Sequence, residues 1–208
     1  MTPHSRPYRA DRRADSAAQT RAAILRAAIR LFVEHGYGKV TVNDIAREAS
    51  AAVPTVYAST GGKAAILATI IDEAARDPIV DETLAAVREC TDPEDVIRVV
   101  THGVRVDNER HHDIVRVMLA AAALDEAAAG TLARSNELYR RALGEAAERL
   151  EAMRALKPAV DRRRAIDILW FFLGHHSWHL CASELGWSWD EAEEWLTERI
   201  SSALLTAT

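Results

Sequence analysis

The chain has 208 residues, 49% of them hydrophobic and 27% charged, with a formal net charge of −5 at pH 7. That length and apolar content suffice for a buried core, and no stretch of about eighteen apolar residues runs unbroken, which excludes a membrane-spanning helix. Two cysteines, Cys90 and Cys181, lie far apart and are expected as buried thiols in a reducing cytoplasm rather than as a disulfide.

The charge is unevenly divided. Residues 1–63 carry ten Lys and Arg against five Asp and Glu, whereas the remaining 145 carry sixteen against twenty-six. The total alone argues against a nucleic-acid partner, but a basic head on an acidic body is the asymmetry of a protein that sets one end on phosphate. Residues 1–15 form a basic arm, with Arg6, Arg9, Arg12 and Arg13 among Pro3, Ser5 and Pro7. It is expected to be disordered in the free protein, and no apolar core of the signal-peptide kind follows its arginines. An arm of this kind suits an adjacent minor groove, which makes Arg12 and Arg13 candidate DNA contacts.

The first predicted helix places Ile24, Leu25, Ala28, Leu31 and Phe32 on one stripe and stops at His35-Gly36. Thr41 then caps a short second helix, with Asp44 three positions on in place of the usual Glu or Gln, and with Val42, Ile45, Ala46 and Ala49 facing inward. A turn of small residues, Ser50-Ala51-Ala52, leads to a third helix from Pro54 to about Ser59, its proline in the first turn. Helix, tight turn and short helix is the helix-turn-helix geometry that delivers its second helix into the DNA major groove.

From Lys63 onward the pattern is helical with no strand period. One helix spans 63–76 and ends before Pro78, and a short one covers 81–89. Asp92-Pro93-Glu94 opens a helix to about Asn108. Helices at 112–123 and from Asp125 to about Leu156 follow. Asp161 opens a helix running to Leu185, and Ser188 caps the last, Trp189 to Leu205. The fold class is all-α with about nine helices: a three-helix head at 16–62 and a larger helical body at 63–208.

The helix from 161 to 185 is apolar nearly all round. Ile166, Leu169, Trp170 and Leu173 mark one stripe, and Phe171, Phe172, His175 and Trp178 a second, so something must cover both sides. Trp170, Phe171 and Phe172, set against His102, Val106, Met118, Leu119 and Tyr139, have the composition of an apolar small-molecule cavity. His175-His176-x-x-His179 has the spacing of two imidazoles on one face, which keeps a metal-responsive protein as an alternative. No CxxC or HExxH accompanies it, and no metal or cofactor is assigned. Without a Ser/His/Asp ordering, a paired-carboxylate motif or a glycine-rich phosphate loop, catalysis has no support and the chain is read as a non-enzyme.

The stretches AAIRLFVEHGY, TVNDIAREAS and PTVYAST with Lys63 together resemble the N-terminal domain of TetR-family transcriptional regulators. LGWSWDEAEEWL resembles the end of many actinobacterial members. The family usually has Gly where Ser50 stands, often a basic or polar residue where Val53 stands, and commonly a His-Phe pair where Ser59-Thr60 stands. The resemblance implies a cytoplasmic homodimeric repressor, bound to a pseudo-palindromic double-stranded DNA operator and released by a small-molecule effector. The rivals are a metal sensor using His175, His176 and His179, and a helical ligand-binding dimer or enzyme without DNA binding. By correspondence Thr41, Tyr57 and Lys63 touch phosphate, Thr55 reads base edges, and Val53 and Pro54 meet a thymine methyl. The last two helices pair with their symmetry mates in a four-helix bundle, with Trp178, Trp195, Ile200 and Leu204 as interface residues. His102, Val106, Met118, Tyr139, Phe172 and His176 are the pocket residues.

Overall fold

A computed structural model describes residues 6–206, with side chains from residue 14 onward. The order is α1 (Arg6–His35), a 3-10 turn (Tyr37–Lys39), α2 (Val42–Glu48), α3 (Val53–Thr60), α4 (Lys63–Ala74), α5 (Pro78–Glu89) and α6 (Pro93–Arg110). There follow α7 (His112–Ala122), α8 (Glu126–Ala152), α9 (Arg162–Leu173), α10 (His175–His179) running into a π turn (Leu180–Glu184), and α11 (Trp189–Leu204). Among the described residues the extended pairing is a single bridge between Leu156 and Leu205. The chain divides into two compact units. One holds the chain up to Glu73 with Val117–Thr131, and the other holds Ala74–Arg116 with the chain from Leu132.

In the first unit α1 begins at Arg6, so helix covers most of the stretch expected to be a disordered arm. Pro7 falls in its first turn, and the residues from Tyr8 to Gln19 include no glycine or β-branched side chain to oppose a helix. Residues 1–5 and the side chains of Arg12 and Arg13 lie outside the described residues. Ile24, Ala28 and Phe32 of α1, Ile45 of α2, Val56 of α3, and Ile66 and Leu67 of α4 are at most 1% exposed. Each large member contributes about 1.5–3 kcal/mol through burial. Gly36, at φ +82°, ends α1 with its N–H on Phe32 O at 3.0 Å.

The link from α2 to α3 is a Schellman turn. Ala51 N–H donates to Ala46 O at 2.9 Å and Ser50 N–H to Arg47 O at 3.2 Å. Ser50 occupies the left-handed position at φ +53°, where glycine is unstrained. The end of α8 repeats the device, with Arg154 at φ +56° and Ala155 N–H on Leu150 O at 3.1 Å. That turn stops α8 at Ala152, four residues short of the sequence expectation.

The second unit is built around Val96, Ile97 and Val100 of α6, Leu143 and Leu150 of α8, Leu169 and Leu173 of α9, and Leu196 and Ile200 of α11. Two elements differ from expectation. The short helix at 81–89 is a twelve-residue α5 opening at Pro78, because Asp77 caps it by accepting from Ile79 N–H at 3.0 Å. The helix expected from 161 to 185 is broken at Gly174, whose ψ of 159° is extended. A Cβ there would lie 2.7 Å from Trp170 O, so the break depends on glycine. α5 and α6 approach closely at Gly103, where a Cβ would fall 2.0 Å from Thr83 Oγ1 and 2.7 Å from Thr83 Cβ.

Two stability measurements check this packing. Gly103→Ala should lower stability by about 1–3 kcal/mol in chemical denaturation, the usual effect of overpacking; an unchanged midpoint would mean that α5 and α6 do not meet so closely. Ser50→Gly relieves a left-handed side chain at some cost in unfolded-chain entropy, and should raise stability by about 0.5–1 kcal/mol. A loss of stability in the glycine variant would contradict the left-handed turn.

Candidate functional site

The α2–turn–α3 element gains its precision from local hydrogen bonds. Thr41 and Asp44 form a full capping box: Asp44 N–H donates to Thr41 Oγ1 at 3.2 Å, and Thr41 N–H donates to Asp44 Oδ2 at 3.0 Å. Thr41 Oγ1 also donates to Asp44 Oδ2 at 2.6 Å. Those bonds from Thr41, with the Arg47 guanidinium at 2.7 Å, hold the Asp44 carboxyl below the usual carboxylate range. Both donors of Thr41 are therefore engaged inside the cap.

α3 has two distinct faces. Val56 and Thr60 are buried and Val53 is half-buried, while Pro54, Thr55, Tyr57 and Ala58 are exposed. At 100° per residue those four fall within one continuous arc, and none is charged. Tyr57 is 55% exposed. The inner face is pinned as well as packed. Thr60 Oγ1 donates to Val56 O at 2.9 Å, and Arg21 of α1 reaches across to Ser59 O at 2.7 Å, placing a cation at the carbonyl end of the helix. The sequence analysis missed Arg21, whose signal is a lone arginine at the edge of an apolar stripe.

Lys63, at the start of α4, is less free than expected. Its Nζ donates to Tyr37 O at 2.9 Å and lies 4.2 Å from the centroid of the Tyr37 ring. Tyr37 packs against Phe32 with ring centroids 5.2 Å apart and donates its hydroxyl to Asp125 Oδ2 at 2.9 Å. Burial, then the Asp125 carboxylate, push the Tyr37 hydroxyl well above the ordinary phenol range. Asp125 in turn caps α8, accepting from Ala127 N–H at 2.9 Å. Lys63 keeps two of its three N–H donors for another partner.

In the second unit the predicted pocket residues do not share one environment. His102 lies on the surface with Nδ1 2.9 Å from Glu193 Oε1, and His176 is exposed. Val106 and Phe172 are half-buried; Met118 is 2% exposed and belongs to the first unit. Tyr139 is different. Its hydroxyl donates to Leu173 O at 2.6 Å and accepts from Asn108 Nδ2 at 3.3 Å, and its ring lies 4.8 Å from that of His175. His175 is the buried histidine of the cluster, 6% exposed, with Nδ1 3.3 Å from Asn108 Oδ1. Burial lowers its pKa to about 4, so the ring is neutral at physiological pH. Asn108 was missed because a buried asparagine has no periodic signature; His175, named for a metal set, was left out of the pocket in favour of His176 because the break at Gly174, which rotates His175 inward and His176 outward, has no sequence signal.

The three histidines proposed as a metal set also separate. His175 faces Asn108, His176 faces out, and His179 lies with its ring 6.4 Å from His112. Among the described residues no three His, Cys, Asp or Glu side chains converge as metal ligands.

The interface set needs correction. Trp178 is 1% exposed, and Ile200 and Leu204 are 0%, because all three fill the core of their own unit. Of the four expected residues Trp195 remains outward, 43% exposed. The exposed aromatic surface of the unit is instead centred on Phe171, 72% exposed, with its ring 5.1 Å from Phe172. Phe172 lies 6.4 Å from Trp195, which packs edge-on to Trp187 at 5.5 Å.

Comparison with known proteins agrees with this geometry. Residues 24–70 match the model of bacterial regulatory proteins of the tetR family, a span covering the last part of α1, all of α2 and α3, and the first part of α4. No curated protein matches the chain. Among solved structures, the fatty acid degradation regulator FadR of Bacillus halodurans has a TM-score of 0.72 at 18% identity, over 87% of this chain and 94% of that one. NalD, the secondary repressor of the MexAB-OprM multidrug efflux pump in Pseudomonas aeruginosa, has 0.72 at 20% identity, over 92% and 100%. SmeT in complex with triclosan has 0.72 at 20% identity, over 90% and 92%. Among the described residues no helix is long and apolar enough to cross a membrane. The head of the chain thus matches the tetR family of bacterial regulatory proteins over residues 24–70, and the full length shares its fold with the solved regulators named above.

Proposed function

We propose that this regulator is a homodimeric repressor that docks α3 into the major groove of a pseudo-palindromic operator and leaves it when a small molecule binds the second unit. The observation that carries the DNA reading is the uncharged outward arc of α3, Pro54, Thr55, Tyr57 and Ala58, held by a buried inner face. Small side chains let the helix backbone approach base edges, with the Thr55 hydroxyl as hydrogen-bonding reader and Pro54 and the half-buried Val53 meeting a thymine methyl. Tyr57 contributes its hydroxyl to phosphate, and Lys63 its two remaining N–H donors. Thr41, its donors engaged by Asp44, acts by fixing the start of α2.

Dimerisation follows from the apolar surface of Phe171, Phe172 and Trp195, since a large exposed aromatic patch marks an interaction site and a two-fold dimer presents two heads to two half-sites. Effector release is supported by the likeness to SmeT, solved in complex with triclosan, and to NalD, a repressor of a multidrug efflux pump. The ligand's preference for one head spacing over another sets the size of the switch.

The readings separate experimentally on a duplex selected by the purified protein from a random library. Thr55→Ala should cost about 1–3 kcal/mol on that duplex and little on scrambled DNA; equal losses on both would remove Thr55 from base reading. Lys63→Ala should flatten the slope of log affinity against log salt by about one, and an unchanged slope would assign Lys63 to holding Tyr37 alone.

Phe171→Glu, at a site exposed in the protomer, should leave the fold intact and give monomers in sedimentation, with selected-duplex affinity lost. A variant that remains dimeric would move the interface off this face.

A further inference from the structure

The polar cluster around His175 fixes more of its own chemistry than a core cluster usually does. Asn108 Nδ2 lies 2.9 Å from Val104 O and 3.3 Å from Tyr139 Oη. A carbonyl accepts only, so that end of the Asn108 amide is its NH2 and the other end, facing His175, is the carbonyl oxygen. His175 Nδ1, 3.3 Å from that oxygen, must then carry the ring proton. The neutral ring leaves its lone pair on Nε2, and Nε2 is buried with no hydrogen-bond partner. One helical turn along α10, Trp178 Nε1–H is likewise buried and unpaired.

An unsatisfied buried polar atom is costly, and native cores hold few. Here an orphan acceptor and an orphan donor stand at positions i and i+3 of the same helix, a spacing that puts side chains on one face. Replacing His175 by an apolar residue would remove the unpaired lone pair, and the Asn108–Tyr139–Leu173 chain of hydrogen bonds would persist without it. The group that answers an acceptor and a donor together is one that both donates and accepts. The rings of Tyr139 and, 5.5 Å beyond it, Trp170 make the surroundings aromatic, with the Asp107 carboxylate acting on His175 from a distance and the Arg140 guanidinium 5.7 Å from the Trp170 ring centroid.

We infer that His175 Nε2, with Trp178 Nε1–H one turn along the same helix, is the subsite for a hydroxyl group on an uncharged, mostly apolar effector. The hydroxyl donates to His175 Nε2 and accepts from the indole N–H, and its carbon skeleton packs among the aromatic rings. This rests on the effector reading proposed above, and it specifies the ligand class of that reading.

The test uses the wild-type dimer with three hydroxyl probes, phenol, cyclohexanol and 1-naphthol, each against its methyl ether. Ring-nitrogen NMR of histidine-labelled protein reports on His175 directly and does not depend on a variant folding. At least one alcohol should move the Nε2 resonance and raise the melting temperature by a few degrees, while its ether does neither. In His175→Phe the same alcohol should lose at least tenfold in affinity. Ethers binding as tightly as alcohols, or a His175 ring that none of the six probes moves, would overturn the assignment. Affinity for the selected duplex, read in the same titration, tests the parent reading separately. A probe that engages His175 and leaves DNA affinity unchanged keeps the subsite and sinks effector release. Release of DNA by any of the probes with His175 unmoved keeps effector release and sinks the subsite.

Discussion

An eight-residue helix has no stability of its own in water, and α3 is such a helix, with Val53–Thr60 as its whole length. Everything that gives it one orientation comes from outside it. Val56 is fully buried among the side chains of the first unit, Arg21 holds its last turn at Ser59 O, and the Schellman turn at Ser50 sets the angle at which it leaves α2. Because the inner face is fixed in this way, the outer face can be made of small uncharged residues and still present a defined surface. A recognition surface of the kind proposed for α3 therefore depends on the packing behind it.

Charge lies off α3 rather than on it. α3 carries no ionic side chain, whereas Arg26, Arg30, Lys39 and Arg47 are exposed on α1, α2 and the 3-10 turn, Arg30 paired with Glu48 and Arg47 with Asp44, and Lys63 begins α4. Lys63 is oriented by the Tyr37 carbonyl and ring, and Tyr37 is anchored to Asp125 at the start of α8. A phosphate contact made through Lys63 would thus be felt at the cap of α8. The second unit shows the opposite strategy. Its surface is acidic and heavily ion-paired, as in Arg105 with Asp190 and Arg140 with Asp167, and its interior keeps polar atoms unpaired at His175 and Trp178.

Much of this was legible in the sequence where a local rule acts alone. Thr41 with Asp44, Asp92 with Pro93, Asp161 and Ser188 were all expected as helix caps, and each side chain accepts from a backbone N–H of the first turn. Gly36 stops α1 as its position suggested. The same Asp-Pro signature at Asp77-Pro78 begins α5, but the proline was read as the end of the preceding helix rather than the start of the next. Non-local facts were out of reach. Gly174 lies inside the helix expected from 161 to 185, and only the fold brings Trp170 O within 2.7 Å of where its Cβ would stand; the resulting break decides which of two adjacent histidines is buried. Trp178, Ile200 and Leu204 were assigned to an interface because apolar periodicity cannot distinguish a face covered by the same chain from one covered by a second copy. Phe171 and Trp195 are separated from them by exposure alone.

In the proposed complex α3 meets DNA through its uncharged outer face in a sequence-dependent way. Hydrogen–deuterium exchange of the intact protein, free and on a library-selected duplex or its scrambled counterpart, tests it most directly. Exchange should slow across Val53–Thr60 and the Ser50 turn on the selected duplex, with much weaker slowing on the scrambled one at the same occupancy. Equal protection on both duplexes, or protection confined to segments outside α2 and α3, would contradict it.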